Sequence, residues 1–281
     1  MEQVRHSPVT VAPAGSVVRV AQITDTHLCA GRGGTLLQMD TDHSLQAVID
    51  LVLARAAAPD LVLGTGDLAD GGARGAYQRL HGYLAQLSPN YFCLPGNHDD
   101  RGLMAEELGE YPCLASEIRI AGWQVLMLES QVPGEVGGQM GAEQLDFLQQ
   151  GLSRAGNEGL YTLICLHHHP LPVGTAWLDE QIVSDADELF AVLDRHPGVK
   201  GVLWGHVHQQ IDWLRKGVKL MASPSTCVQF APGFENFRAD DLPPGYRWLE
   251  LHPDGRIDTG VERVQGVHFE VDLEQRGYLD H

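Results

Sequence analysis

The chain lacks any continuous apolar run long enough to cross a bilayer, and its first residues carry no apolar segment of the kind a secretory signal requires. Met1 to Gly15 instead holds Arg5, His6 and two prolines, so neither a membrane partner nor a signal peptide is expected. Cysteine is sparse: Cys29, Cys93, Cys113, Cys165 and Cys227 are odd in number, widely spread and without paired spacing. That distribution argues against a disulfide framework and for reduced thiols, which makes the cytoplasm the expected location. Cations are also few, with 19 Lys and Arg against 37 Asp and Glu, a formal charge of −18. A surface this acidic repels polyanions, which excludes recognition of long nucleic acid by broad phosphate neutralisation. A small phosphate substrate remains open if bound metal ions reverse the sign locally.

No fixed-period repeat, low-complexity tract or linker divides the chain. The expected organisation is an N-terminal extension over 1–16 and a single domain over 17–281. With 281 residues, 43% of them hydrophobic and 20% charged, that domain can bury a substantial core.

What the sequence has in quantity is histidine, fourteen of them, and their placement is regular. Apolar runs at Val17 to Ile23, Asp60 to Thr65, Tyr91 to Leu94, Trp123 to Leu128, Leu160 to Leu166 and Val199 to Trp204 read as strands. Between them, Leu45, Val48, Ile49, Val52, Leu53 and Ala56 recur at helical spacing, with Thr41 or Asp42 available as N-cap and Pro59 ending the helix. Gly75 to Leu87, Ala142 to Ala155 and Asp185 to Arg195 read as further helices. Turns at Lys216-Gly217 and Asp254-Gly255 suggest that the last third forms an antiparallel or mixed second sheet. Alternating strands and helices imply a layered α/β architecture, and nearly every polar cluster falls at the C-terminal end of a strand, where open α/β sheets place their ligands.

Five such clusters occur in order: Asp25-x-His27, Gly66-Asp67, Gly96-Asn97-His98-Asp99, His167-His168-His169 and Gly205-His206-x-His208. They offer carboxylate, imidazole and carboxamide donors without thiolate, a set that suits manganese, iron, zinc or cobalt. Glycine precedes three of the clusters, where the chain is expected to turn sharply out of the sheet. Seven donors are too many for one tetrahedral site and fit two ions that share a ligand. Two divalent ions ~3.5 Å apart repel by roughly 19 kcal/mol at an effective dielectric of ~20, so an anionic bridge is required. Asp67 is the natural candidate. A bridging hydroxide would be the second bridge and the nucleophile, since coordination brings the pKa of water to about 7. Such a centre keeps a charge of about +1, a match for a singly charged cyclic phosphodiester.

At these residues the sequence resembles the calcineurin-like metallophosphoesterase superfamily, whose signature is D-x-H, GD, GNH, H and GHxH. Within it, the class III cyclic nucleotide phosphodiesterases that act on 3′,5′-cyclic AMP are the nearest in pattern. The longer strings Gln22 to His27, Leu94 to Asp99, Leu166 to Pro172, Trp177 to Asp179, Pro224 to Phe230 and Pro244 to Leu251 carry that likeness, which runs from about Val17 to Val264. The resemblance implies a four-layer α/β/β/α sandwich, two mixed sheets packed face to face and flanked by helices, with a dimetal centre at one sheet edge. It implies hydrolysis of cyclic AMP to 5′-AMP by a monomer or homodimer.

The resemblance also implies the site. Asp25, His27 and His208 would hold one ion, Asn97, His167 and His206 the other, with Asp67 between them. His98 would contact the phosphate, and Asp70 would orient it. Substrate contacts would come from His27, Asp67, Asn97, His98, His167 and His208. His168 and His169 have a plainer reading as packing or hydrogen-bonded loop residues, and Cys29 as a small buried residue. Trp177 and Phe230 read either as core or as walls of a purine pocket.

Overall fold

Strands that are apolar on both faces need cover on both faces, and the helices between them provide it. In the computed structural model, which describes residues 8–109 and 111–277, the strands form two large mixed sheets and two short two-stranded ribbons. Arg5, His6 and the last four residues of the expected domain lie outside the described residues. One sheet has five strands in the order Ile257–Arg263, Gly245–Leu251, Val18–Ile23, Leu61–Thr65, Tyr91–Leu94. The other has seven, in the order Val9–Val11, Glu117–Ile120, Trp123–Met127, Tyr161–Cys165, Val199–Trp204, Val218–Ala222, Ile211–Arg215. Both combine parallel and antiparallel pairs.

The period of two along each strand sorts its side chains between layers. Val18, Val20, Leu61, Leu63, Phe92 and Leu94 meet Trp123, Val125, Met127, Leu163 and Leu203 between the sheets. Ala21, Ile23, Val62 and Cys93 point the other way, against Leu45, Val48, Ile49, Tyr77 and Leu80 of the helices Thr41–Leu53 and Arg74–Leu84. Leu126, Ile164, Val202 and Trp204 face the helices Gly141–Glu158 and Ala186–Leu193 on the far side. The result is the expected helix, sheet, sheet, helix stack.

Several details differ from expectation. Asp40 caps the first helix, its carboxylate accepting the His43 amide at 2.9 Å, because the short ribbon Thr35–Leu36 and Met39–Asp40 ends one residue earlier than the periodicity suggests. Val9–Val11, inside the stretch set apart as an extension, runs parallel to Glu117–Ile120 at the edge of the larger sheet. Apart from the short antiparallel ribbon Gln229–Phe230 and Ala239–Asp240, the C-terminal strands do not form a sheet of their own. The hairpin around Lys216-Gly217 completes the larger sheet, and the hairpin around Asp254-Gly255 completes the smaller one against Val18–Ile23. Among the described residues no helix is long and apolar enough to cross a membrane.

Candidate metal centre

Five loops, three from the smaller sheet and two from the larger, meet where their strands end. Backbone pairing seams them together. The Asp25 and His27 amides donate to the Gly66 and Asp67 carbonyls (3.0 and 2.9 Å), and the Gly205 amide donates to the His167 carbonyl (3.2 Å). The His206 amide reaches across to Asp25 Oδ1 at 2.9 Å, joining the two sheets. The candidate centre therefore lies at the shared end of both sheets and not at the edge of one.

The backbone here is strained. Asp25, His27, Asp67, His206 and His208 all have positive φ, between 43 and 64°, a region that non-glycine residues rarely occupy and that clusters at functional sites. Of the glycines preceding the ligand residues, only Gly66 has positive φ. Gly96 and Gly205 serve a different purpose, close approach. A Cβ on Gly205 would lie 2.2 Å from Thr24 Oγ1 and 2.6 Å from Asp25 Oδ2, and one on Gly96 would lie 2.2 Å from Asp67 Oδ1.

The side chains converge. Asp25, His27 and His208 form one group of mutually close donor atoms, and Asp25, Asp67 and His167 form another. His208 Nε2 is 3.4 Å from Asp25 Oδ1, and His27 Nε2 is 3.3 Å from His208 Nε2. Asp67 Oδ2 lies between His167 Nε2 (3.2 Å) and His27 Nε2 (3.8 Å). Asn97 Oδ1 completes the far side at 3.1 Å from His167 Nε2. His206 joins His167 and His168 in a third close group. Asp25, His27, Asp67, His167, His206 and His208 are at most 3% exposed.

These donors fit a pair of cations. Asp25 Oδ2 and His206 Nε2 are buried without a hydrogen-bond partner, a costly arrangement for a polar atom unless something else engages it. Two imidazoles are oriented as ligands usually are, by an acceptor behind the ring. His167 Nδ1 faces the Thr65 carbonyl (2.9 Å) and His208 Nδ1 the Val228 carbonyl (2.7 Å), so each keeps a proton there and turns Nε2 inward. Burial, aided by the neighbouring His168 and His167, holds His206 far below the ordinary histidine range, and burial with His98 lowers His27 to about 4. Both are neutral and able to donate a lone pair. For His167 burial is outweighed by the Asp67 carboxylate, which lifts it to about 9.

Not every histidine here is available. His168 has Nδ1 at 2.8 Å from Ser130 Oγ and Nε2 at 3.0 Å from the Val136 carbonyl, so both ring nitrogens are occupied in holding the 129–138 loop. His169 is buried and stacks on His206. Cys29 is half-buried, its Sγ near Thr41 Oγ1. Phe230 is 1% exposed and lies flat on His208, centroids 3.9 Å apart and planes within 6°, with Trp177 and Phe237 edge-on to it. Phe230 is thus a packing support for His208 and presents no free face to a purine.

His98 and Asp70 sit beside the cluster. His98 Nδ1 is 3.4 Å from Asp70 Oδ1, and its ring meets His27 edge-on at 4.8 Å. Burial opposes its charge, but Asp67 and Asp70 outweigh it and raise its pKa above the ordinary value.

Two supports had no role assigned to them from residue spacing, although Asp99 belongs to one of the five clusters. Asp99 accepts the Leu68, Ala69 and Gly96 amides and the Tyr77 hydroxyl, fastening the Asp67 loop to the Asn97 loop. The Pro224 to Phe230 string braces the first loop, with Ser225 Oγ donating to the Asp25 carbonyl at 2.7 Å. Only the family likeness marked that string, because a brace made of backbone carbonyls and one hydroxyl leaves no pattern in residue type.

The family description that matches residues 18–210 is calcineurin-like phosphoesterase. The chain is 41% identical over 274 residues to the 3′,5′-cyclic adenosine monophosphate phosphodiesterase CpdA of Pseudomonas aeruginosa, covering 98% of this chain and 99% of that protein. It is 41% identical over 276 residues to CpdA of Escherichia coli, covering 97% and 100%. It is also 40% identical over 249 residues to a 3′,5′-cyclic-nucleotide phosphodiesterase of Nostoc, covering 88% and 92%. Among solved structures, a dimetal phosphatase from Danio rerio superposes with a TM-score of 0.57 at 15% identity, covering 89% of this chain and all of that one, which bears on the fold alone. The match across the strand-end loops, together with near full-length identity to these relatives, makes this chain a member of the calcineurin-like phosphoesterase family.

Proposed function

We propose that the protein hydrolyses 3′,5′-cyclic AMP to 5′-AMP at a two-ion centre. The carrying observation is the convergence of Asp25, His27, Asp67, Asn97, His167, His206 and His208 in a chain alignable almost end to end with cyclic-AMP phosphodiesterases. In this reading Asp25, His27 and His208 would hold one ion and Asn97, His167 and His206 the other, with Asp67 available to both. The ions, when bound, would supply Lewis acidity: an activated water and neutralisation of charge on the phosphoryl oxygens.

The chain's own residues account for the rest. The strained, glycine-packed loops hold the donors in place before substrate arrives, so little reorganisation is left for the reaction. Asp70 keeps a proton on His98 Nδ1, which leaves Nε2 to face the phosphate. Nε2–H there donates to a nonbridging oxygen or to O3′ as the P–O3′ bond breaks and water oxygen is added to phosphorus.

The test compares rates on cyclic AMP, cyclic GMP and a nitrophenyl phosphodiester, before and after a chelator, with manganese, iron, zinc or cobalt added back singly. Turnover of cyclic AMP to 5′-AMP that is lost with chelator and restored by an ion is expected. A preparation that carries its ions yet cleaves only the linear diester would replace this reading with that of a broader phosphodiesterase.

A further inference from the structure

Beneath the ligand loops, four buried side chains form a directed run of hydrogen bonds. The Arg247 guanidinium, on the strand Gly245–Leu251, donates from Nε to Ser223 Oγ at 3.2 Å. Ser223 Oγ donates to the side-chain amide oxygen Oε1 of Gln22. Gln22 Nε2 then donates to Thr65 Oγ1 (2.7 Å) and to the Trp204 carbonyl (3.1 Å). Arg247, Ser223, Gln22 and Thr65 are each 0% exposed. The remaining Arg247 N–H groups reach Asp212, Thr259 and the Ile211 and Ala222 carbonyls, so the buried charge is satisfied.

The direction of the run follows from its origin. Arginine only donates, so the Ser223 oxygen accepts and its own proton goes to Gln22. That turns the Gln22 amide nitrogen toward Thr65 and Trp204 and leaves it no alternative orientation.

The position of the run is what matters. Gln22 lies near the end of the strand that leads to Asp25 and His27, Thr65 ends the strand before Asp67, and Trp204 ends the strand before His206 and His208. Thr65 also receives His167 Nδ1 on its carbonyl. One amide therefore ties together three ligand-bearing strands drawn from both sheets. Apolar side chains filling the same space would be at least as stabilising, because desolvating a charge offsets much of what its bonds return. What the polar network adds is fixed direction.

We propose that Gln22 is a positioning residue for the metal centre. Backed by Ser223 and Arg247, it holds the spacing of the Asp25/His27, Asp67 and His206/His208 loops and, through Thr65, the ring orientation of His167. This deepens, and rests on, the two-ion reading above.

The test titrates manganese(II) into chelator-stripped full-length protein by calorimetry, with thermal unfolding of the ion-free protein alongside. Gln22→Met and Thr65→Val keep volume and remove the bonds, whereas Thr65→Ser keeps the hydroxyl. Losses of about tenfold or more in manganese affinity are expected for the first two, as for other groups that orient metal ligands. Thr65→Ser should stay within about twofold of the parent. If Gln22→Met and Thr65→Val lower the melting temperature yet bind manganese like the parent, the network serves the fold alone and the inference fails. Should Gln22→Met not fold, the Thr65 pair decides, and a Thr65→Val protein that does not fold either overturns the positioning role. A parent protein that binds manganese but leaves cyclic AMP intact would remove the proposed reaction while leaving this inference standing.

Discussion

His98 differs from His167 and His208 in exposure and in partner. Its side chain is 12% exposed, and its Nδ1 faces a carboxylate, Asp70, instead of a backbone carbonyl. The Asp70 carboxylate is held below its usual range, first by the hydrogen bond from His98. The pair therefore favours the charged form of His98, and its two members act as one unit. His98→Ala should lower kcat by roughly 10²- to 10⁴-fold, the range for a lost general acid. Asp70→Asn should lower it less, and the double variant should be no worse than His98→Ala alone. Steady-state kinetics on the four proteins checks this, and additive losses would show that Asp70 acts independently of His98. Asp67→Ala and Asn97→Ala should each abolish turnover while circular dichroism shows the fold retained, since both lie in loops outside the hydrophobic layers.

At the scale of elements, the site depends on loops lying closer together than side chains normally permit. Gly205, which leads into His206, approaches Thr24 and Asp25 from the opposite sheet so closely that a methyl group would overlap both. Gly205→Ala should destabilise the protein by about 1–3 kcal/mol through overpacking. It should also cost on the order of 10²-fold in activity, because a displacement of about 1 Å misplaces His206 and Asp25 together. Denaturant unfolding and kinetics on the same preparation separate the two effects, and a variant that keeps parental activity would show that the loops tolerate separation. The elements themselves were largely legible. The six runs read as strands end within a residue or two of the observed ones, because residues apolar on both faces announce burial on both faces. Glu117–Ile120 and Arg101–Leu108 were not legible. The strand alternates Glu117 and Arg119 with two isoleucines over four residues and so makes no apolar run, and the helix buries only Met104 and Leu108, too little for a period to show.

For the whole molecule, binding of ions to the folded chain alone is a stability term. Free ion at a hundred times its dissociation constant adds about 2.7 kcal/mol per site. For a domain of this size that raises the melting temperature by about 5–10 °C. Calorimetric scans with chelator and with manganese at that excess should differ by about that amount for each ion bound, and coincident scans would mean that the cluster holds no ion. The excess of negative charge raises the local concentration of cations but does not choose their site. That choice belongs to buried donors such as Asp25 Oδ2 and His206 Nε2, which have no protein partner to compete with a metal.

The identity of the donors, their order and their place at strand ends are properties of the sequence alone, since residue type and apolar periodicity are local. The convergence of Asp25 with His208, and of Asp67 with His167, is not local, and neither is the sharing of C-terminal hairpins between the two sheets. Which sheet a strand joins depends on the partners that cover its faces, and the local pattern is the same either way. The Gln22 amide was invisible for the same reason: a lone buried glutamine carries no periodic mark, and its meaning arises only when Thr65, Trp204 and Ser223 are folded around it.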